Sequence, residues 1–393
     1  MIRIAYLFQS DASNPGVQSG RPASILRHLT AQGASIVPVF PLATRVSRAS
    51  TLKKALYRLA GRYYRGDREP GFLRAVAAEF ERRTRGKEYD IAFCPGSEAV
   101  SHLDIPRPIA FCADATFANM IDYYWDFSSL SSEYVRKGHR QEANALRRAS
   151  LAVYPSEWAA RSAVDFYHAD PARVAVVPFG ANFGAQNERE QVHRWIAGRR
   201  FDCLRLLFVG KSWKRKGGSL VVEAAQRLLQ RGFRVNLDIV SGEAPHGLRR
   251  MPWITQHGQL DPGEPSSAGL LADLFKGAHF VFIPSRAEAY GMAFAEANAF
   301  GVPAIGTATG GIPSIIRDGF NGYTLPLSAG APAFADLIAG AFARRELYHQ
   351  LCRNSFEEFE RRLNWRTFCS RFLDLASQQC ESLAQRTGGP CVA

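Results

Sequence analysis

The chain has 393 residues, of which 46% are hydrophobic and 11% aromatic, and its formal net charge is +13. This length exceeds what one hydrophobic core usually holds, so two domains are expected. No stretch approaches the roughly 18 apolar residues that a membrane span requires, and the opening MIRIAYLFQS lacks the pattern of a signal peptide. The excess of positive charge predicts an anionic partner, such as nucleic acid, anionic lipid or a phosphorylated small molecule.

Cysteine usage bears on the compartment. The seven cysteines are odd in number and scattered, and no C-x-x-C spacing indicates zinc or redox chemistry. We therefore expect reduced thiols in a cytoplasmic protein. The cysteine positions are Cys94, Cys112, Cys203, Cys352, Cys369, Cys380 and Cys391.

Two series of apolar runs predict two similar α/β halves. Most of these runs are continuous rather than alternating, which is typical of parallel strands covered by helices on both faces. The first series is IRIAYLF, ASIVPVF, IAFC, PIAFCAD, LAVYPS and VAVVPF. The second series is LRLLFVG, VNLDIVSG, ITQHGQL, HFVFIPS, PAIGTA and GYTLPL.

The predicted domain organisation follows from these two series. Residues 1–184 form the first domain, and residues 201–365 form the second. Residues 185–200 lose apolar periodicity and are interpreted as the linker. Residues 366–393, which contain FCSRFLDLASQQC, are expected to form a terminal helix that packs on the first domain.

A basic helix is predicted at residues 51–65. Between Arg45 and Lys87 the chain has 13 lysines and arginines against four acidic residues, and TLKKALYRLAGRYYR has leucines at helical spacing. Two interpretations remain open. The apolar stripe packs on its own domain and the cations are solvated, or the helix contacts an anionic membrane surface or an acidic acceptor.

The loop LFVGKSWKRKGG follows the first strand of the second half. It has Gly210 at the end of the strand and offers four cations, Lys211, Lys214, Arg215 and Lys216, before a helix that begins near Ser219. Arg215 replaces the second glycine of a Walker A loop, so that motif is excluded. Cations beside a glycine-rich helix start are suited to a diphosphate, and the alternative is an exposed basic turn.

A second loop, SRAEAYGMAFAEANAF, has two carboxylates with seven residues between them. Glu288 is predicted to lie in the loop, and Glu296 about one turn into the following helix. Gly291 permits close approach to a ligand, and the amides that open the helix can bind phosphate oxygens. Glu296 is suited to sugar hydroxyls, or only neutralises the basic loop. A third loop, GTATGGIPSII, again brings glycines to a helix start.

These motifs together resemble the retaining glycosyltransferases of family 4. The resemblance is carried by the E-x7-E spacing, GVPAIGTATGGIPSII, DGFNGY, GKSWKRKGG, YPSEWAA and VVPFGAN, and it is dense between about residues 151 and 327. It implies the GT-B fold, an α/β architecture of two doubly wound Rossmann-like domains that face each other across a cleft. It also implies a nucleotide-sugar donor on the second domain, an acceptor on the first, no metal and no other cofactor.

The resemblance assigns roles to particular positions. Lys216, with Lys211 or Arg215, is expected to neutralise the donor diphosphate, and Glu296 to hold the ribose hydroxyls. Glu288 is expected to meet the donor sugar and phosphate and is counted with Lys216 as catalytic. The remaining expected donor contacts are Gly20 in NPGVQSGRP, Gly210, Gly258, Gln259, Leu260, Tyr290, Gly291, Met292 and Ala293.

The sequence departs from the family pattern at two positions. Many members have a histidine after the fourth strand of the first domain, where this chain reads FCADATFAN with Asp114 nearest to that place. Asp114 is predicted to bind an acceptor or donor hydroxyl or to act as general base, and the alternative is a helix N-cap. Ser314 stands where glutamate is common.

The predicted function is a metal-independent, retaining transfer of a sugar, as by a hexosyltransferase, from a UDP or GDP sugar to a glycan, lipid-linked or small-molecule hydroxyl. A GT-B epimerase or phosphorylase is the first alternative. A nucleic-acid-binding protein is a remote alternative, because the basic residues do not accompany a recognised nucleic-acid module. The expected location is the cytoplasm, with peripheral contact to anionic membrane through residues 51–65.

Overall fold

The computed structural model describes residues 1–42, 46–184, 186–261 and 263–387. The chain divides into two compact units. One consists of Met1–Val177 and the segment that begins at Phe368, and the other is Pro178–Thr367.

The first unit is built on a parallel six-stranded sheet. Its strands are β1 (Arg3–Leu7), β2 (Ser35–Val39), β3 (Ile91–Cys94), β4 (Ile109–Cys112), β5 (Leu151–Tyr154) and β6 (Val174–Val176), in the order β2-β1-β3-β4-β5-β6. Its first helices are α1 (Arg21–Ala31), α2 (Arg48–Leu59), α3 (Pro70–Thr84), α4 (Phe117–Met120), α5 (Ser132–Arg148) and α6 (Glu157–Arg161). Strands β3, β4 and β5 are buried throughout, as their continuous apolar runs predict.

The second unit contains another parallel six-stranded sheet. Its strands are β7 (Leu204–Val209), β8 (Val235–Val240), β9 (Ile254–Gly258), β10 (Phe280–Ile283), β11 (Ala304–Thr307) and β12 (Gly322–Leu325), in the order β12-β11-β10-β7-β8-β9. Its helices are α7 (Arg189–Gly198), α8 (Gly218–Gln230), α9 (Pro265–Gly277), α10 (Met292–Ala299), α11 (Ala331–Ala343) and α12 (Arg345–Arg361). The strand order reverses between β7 and β10, which is where ligands bind in doubly wound sheets.

The last helix, α13 (Trp365–Thr387), spans the boundary between the units. From Phe368 onward it belongs to the first unit. The ring of Phe372 lies 4.6 Å from that of Phe93 on β3, and the thiol of Cys369 donates to the carbonyl of Ile25 on α1. Six described cysteines are free thiols.

The prediction of a linker at residues 185–200 was wrong. Most of this segment is α7, whose Val192 and Ile196 side chains are buried and approach Gly301. Periodicity was missed because only these two apolar side chains face inward while charged residues surround them. The boundary between the two compact units falls earlier in the chain, between Val177 and Pro178.

The basic helix also differs from the prediction. It spans Arg48–Leu59 rather than residues 51–65, and the apolar stripe does not pack on the domain. Leu52, Leu56 and Leu59 are exposed by 64%, 58% and 86%. The polar face of α2 is attached instead, because Lys53 and Tyr57 both bond to Glu133 of α5.

Candidate donor site

Two loops meet at the carboxyl ends of β7 and β10. Gly217, the N-cap of α8, has a left-handed backbone with φ of 76°. A Cβ atom there would lie 2.2 Å from the carbonyl oxygen of Pro284, so only glycine fits between the two loops. At Gly210 a Cβ atom would lie 2.8 Å from Cγ of Lys216. Glycine at this position therefore leaves room for the lysine stem.

Lys216 and Glu288 form a buried ion pair across these loops. The ammonium of Lys216 donates to Oε2 of Glu288, and Nη1 of Arg215 lies 3.4 Å from the same oxygen. Arg215 also donates to the carbonyl of Ala287 at 2.8 Å. Burial raises the pKa of Glu288, but Lys216 and Arg215 outweigh burial and lower it below its ordinary value. The carboxylate is therefore ionised and orients both cations.

Helix α10 begins beside this pair. Its N-cap is Gly291, whose φ is 104°. Within the described part of the chain, the amides of Gly291, Met292 and Ala293 have no hydrogen-bond acceptor. Such amides and the helix dipole attract anions.

Glu296, one turn into α10, has a half-buried side chain. Among the described residues its carboxyl has no hydrogen-bond or ion-pair partner. Burial raises its pKa to about 8, and the charge of Lys216 opposes that shift. An unsatisfied acceptor within the field of Lys216 is available to a ligand that offers hydroxyl groups.

The predicted base-binding residues lie on the other side of the first loop. Gly258 ends β9, and Gln259 is exposed with its side chain 3.2 Å from the Cβ position of Gly242. The neighbouring Ser241 donates to the carbonyl of Lys211 at 3.4 Å. Gly258 to Leu260 thus adjoin the Lys211 end of the loop, whereas the ammonium of Lys216 contacts Glu288.

Sequence reasoning missed several supporting residues. A carboxylate oxygen of Glu243 accepts from the amide of Trp213 at 2.9 Å and holds the basic loop. Ser285 lies 3.4 Å from Glu288, and Thr307 donates to the carbonyl of Ser285. The sequence carries one usable signal, the serine at the start of SRAEAYG, because a hydroxyl beside a buried carboxylate commonly supports it. Tyr290 donates to the carbonyl of Phe179, so its side chain serves packing while its backbone faces the loop of Gly311.

The first unit presents its own polar loop ends. Gly20 is the left-handed N-cap of α1, with φ of 79°. The next residue, Arg21, is 8% exposed, and Nη2 donates to Gln18 at 2.6 Å and to the carbonyl of Pro95 at 3.2 Å. Its Nη1 lies 3.7 Å from the carboxylate of Asp114. Arg21 therefore connects the loops that follow β1, β3 and β4.

The helix-cap alternative for Asp114 is wrong. The N-cap of α4 is Thr116, which accepts from the amide of Asn119 at 3.3 Å and forms a reciprocal capping box. The side chain of Asp114 is 55% exposed. Both residues are good caps by type, but the helix begins two residues too late for Asp114 to be its N-cap.

Residues 191–358 match the family described as Glycosyl transferases group 1. The match covers β7 to β12 and the loops of the candidate donor site. This segment belongs to the group 1 glycosyltransferases. In that segment the pairing of Lys216 with Glu288 occupies the ends of the two central strands.

Named relatives match about half of the chain. The D-inositol 3-phosphate glycosyltransferase of Geodermatophilus obscurus is 34% identical over 203 residues, 48% of this chain and 44% of that protein. The protein of the same name from Mycolicibacterium paratuberculosis is 31% identical over 210 residues, 51% and 46% of the two chains. The chain thus spans less than half the length of these curated relatives.

Solved structures show the fold. The sucrose-phosphate synthase of Thermosynechococcus elongatus superimposes with a TM-score of 0.69 at 16% identity, over 96% of this chain and 99% of that one. HepE of Anabaena, solved with UDP and glucose, superimposes with a TM-score of 0.62 at 16% identity, over 96% of this chain and 100% of that one. The predicted GT-B fold, with its two Rossmann-like α/β domains, is confirmed.

None of the helices in the described ranges is both long and apolar enough to cross a membrane. Among the same residues, no group of three histidine, cysteine, aspartate or glutamate side chains is placed to hold a metal ion.

Proposed function

We propose that the protein transfers a sugar from a nucleotide diphosphate sugar to a hydroxyl acceptor, as a glycosyltransferase of the hexosyltransferase class. The observation that carries this proposal is Glu296. It is a half-buried carboxyl with no partner in the described chain, one helical turn from the free amides at Gly291 and within the field of Lys216. Groups that bind anions, with a carboxyl one helical turn away that can accept hydrogen bonds from hydroxyl groups, suit a diphosphate joined to a ribose.

In this proposal, residues of the second unit bind the donor. Lys216 and Arg215 balance the charge of the diphosphate, together with the amides at the start of α10. Glu288 orients both cations and accepts from a hydroxyl of the donor sugar. Gly258 to Leu260 meet the base beside Lys211. The named relatives are glycosyltransferases and HepE was solved with UDP, which supports UDP as the first nucleotide to test.

The proposed reaction is a front-face transfer with retention that requires no metal. The bond between the anomeric carbon and the diphosphate oxygen breaks, and a bond to the acceptor oxygen forms on the same face of the sugar. The acceptor proton passes to the departing phosphate oxygen. The protein contributes fixed positive charge where negative charge develops on the leaving group. We also place the protein in the cytoplasm, since its described cysteines are free thiols.

Nucleotide binding and product analysis test the proposal. Calorimetry with UDP, GDP and ADP is expected to show one nucleotide bound at a single site in the presence of EDTA. Incubation with the matching nucleotide sugars and a panel of polyol, glycan and lipid acceptors is expected to release that nucleotide and give a retained glycoside. No binding of any nucleoside diphosphate would overturn the donor site. An altered or phosphorylated sugar formed without acceptor would favour the epimerase or phosphorylase alternative.

Replacing Glu296 with glutamine is expected to raise stability while lowering nucleotide affinity. The folded pKa of about 8 exceeds the unfolded value near 4.3, so the folded state loses stability as pH rises between these values. The glutamine side chain is neutral at every pH in this range, so the variant does not lose stability in this way. Thermal unfolding should therefore show a stability gain for Glu296→Gln that is small near pH 5 and grows toward pH 8.

The same variant is expected to bind UDP about tenfold more weakly, because the amide provides fewer acceptor sites for the ribose hydroxyls. Calorimetry at pH 8 measures this loss. A structural carboxylate would behave in the opposite way, with lower stability and unchanged affinity. That combination would remove Glu296 from the donor site.

A further inference from the structure

Helix α2 presents an unpartnered apolar stripe to solvent. Leu52, Leu56 and Leu59 follow the i, i+4, i+7 spacing of one helix face, and they are the most exposed leucines in the described chain. Stripes of this kind normally pack on the protein core. Here the stripe faces away from its own unit, and so it requires another explanation.

The inverted orientation is fixed by polar contacts. Lys53 donates to Glu133 at 2.5 Å and lies 3.5 Å from Glu69, and the hydroxyl of Tyr57 donates to Glu133 at 2.9 Å. The ring of Tyr57 also stacks on Tyr64 at 5.2 Å. The helix is therefore held by a face that does not include its leucines.

The stripe is flanked by uncompensated positive charge. Within the described ranges, Arg48, Lys54, Arg58 and Arg62 have no carboxylate partner, whereas Lys53 on the attached face has two. The sequence contains no acidic residue between Asp11 and Asp67. Arg48 lies one turn before Leu52 on the same face of the helix, whereas Lys54 and Arg58 form a row of their own on another side.

An exposed aromatic side chain lies in a segment joined to this helix. Trp125 is 76% exposed and opens a short 3₁₀ turn. The segment that follows it pairs with the chain after α2, because the amide of Tyr63 donates to the carbonyl of Ser129 at 2.8 Å. Exposed tryptophan, like leucine and basic side chains, is common among residues that enter a lipid headgroup layer.

We infer that α2 docks on an anionic lipid surface, with its leucines inserted between headgroups and its cations on lipid phosphates. Charge complementarity selects this occupant. A second copy of the chain would bring another uncompensated basic helix against the first, and like charges repel. Nucleic acid would use the cations and leave the leucines without a role. This surface is independent of the donor site, and its test needs no sugar or nucleotide.

Vesicle sedimentation tests the inference. Wild-type protein is expected to pellet with vesicles of phosphatidylcholine and phosphatidylglycerol at 50 mM salt, to remain in solution with phosphatidylcholine alone, and to be released at 500 mM salt. The Leu52→Ser, Leu56→Ser, Leu59→Ser triple variant is expected to lose at least about tenfold in partition coefficient. The Lys54→Gln, Arg58→Gln double variant is expected to lose a similar factor in partition coefficient, chiefly at low salt. Trp125→Ala should weaken partition further.

Matched controls come from the second unit. Arg249→Gln with Arg250→Gln removes two exposed cations, and Leu270→Ser with Leu327→Ser removes two partly exposed leucines. Both controls are expected to pellet as wild type does. Melting temperature and UDP affinity should be unchanged in the α2 variants, because the altered side chains are exposed and lie in the first unit.

Three outcomes would overturn the inference. Equal pelleting of the leucine triple variant and wild type would show that the stripe does not enter lipid. A wild-type dimer in sedimentation velocity that the triple variant dissociates would assign the stripe to a second copy. Binding of a single-stranded oligonucleotide in place of vesicles, unaffected by the leucine exchanges, would assign the cations to nucleic acid.

Discussion

Exchange of Lys216 for methionine is expected to weaken UDP binding by about 10- to 100-fold. Methionine keeps the stem that packs on Gly210 and removes only the ammonium. A charge-assisted hydrogen bond to phosphate contributes about 1.5–3 kcal/mol, which corresponds to that loss of affinity. Calorimetry at pH 7.5 provides the measurement. Lys214→Met is the matched control, since Lys214 is exposed on the same loop and should bind UDP as wild type does.

The Lys216→Met variant is also expected to be less stable, and this effect must be separated from its loss of UDP affinity. Lys216 is one partner of a buried ion pair, and removing one partner of such a pair costs about 3–5 kcal/mol. The Lys216→Met, Glu288→Gln double variant removes both charges and should recover much of that stability. It should still bind UDP weakly. Wild-type UDP affinity in the double variant would contradict the assignment of Lys216 to the diphosphate.

The pair also predicts a dependence on pH. Because the pKa of Glu288 is lowered on folding, its contribution to stability is present above the ordinary value near 4.3 and is lost as pH falls through the lowered value. The double variant lacks that carboxylate. Its melting temperature is therefore expected to change less than that of wild type between pH 5 and pH 3.

The strands were predictable because each depends on a local pattern. A continuous apolar run is a buried parallel strand wherever helices cover both faces of a sheet, and all twelve runs quoted from the sequence contain a strand. The start of α10 at Met292, directly after Gly291, was predictable for the same local reason. A left-handed glycine at a helix start follows from steric freedom that other residues lack.

The orientation of α2 could not be predicted from its sequence. Helical periodicity shows that the leucines share a face, but it does not show which face is attached to the protein. That choice depends on Glu133, 80 residues after Lys53 along the chain. The pairing of Lys216 with Glu288 is likewise a contact over 72 residues. Contacts of this range follow from the order of strands in the sheet, which local patterns do not contain.

Asp114→Asn is expected to lower turnover by about 100-fold or more while fold and donor affinity are kept. The side chain is 55% exposed at the carboxyl end of β4, and Thr116 performs the capping that would otherwise explain an aspartate there. Its ion pair with Arg21, at 3.7 Å, is partly solvated and contributes little to stability. An exposed carboxylate that stability does not need is available to bind and orient a substrate hydroxyl, whose proton the departing phosphate oxygen takes.

Turnover of Asp114→Asn is measured as UDP release with the donor and acceptor that the product screen identifies, alongside calorimetry with UDP and thermal unfolding. Thr116→Ala is the matched control on the same loop. It removes the cap of α4, so it should lose about 0.5–2 kcal/mol of stability and keep turnover within a few-fold of wild type. The two variants thus separate capping from chemistry. Wild-type turnover in Asp114→Asn would restrict the role of Asp114 to its contact with Arg21, and the loss of both turnover and UDP affinity would assign it to donor binding.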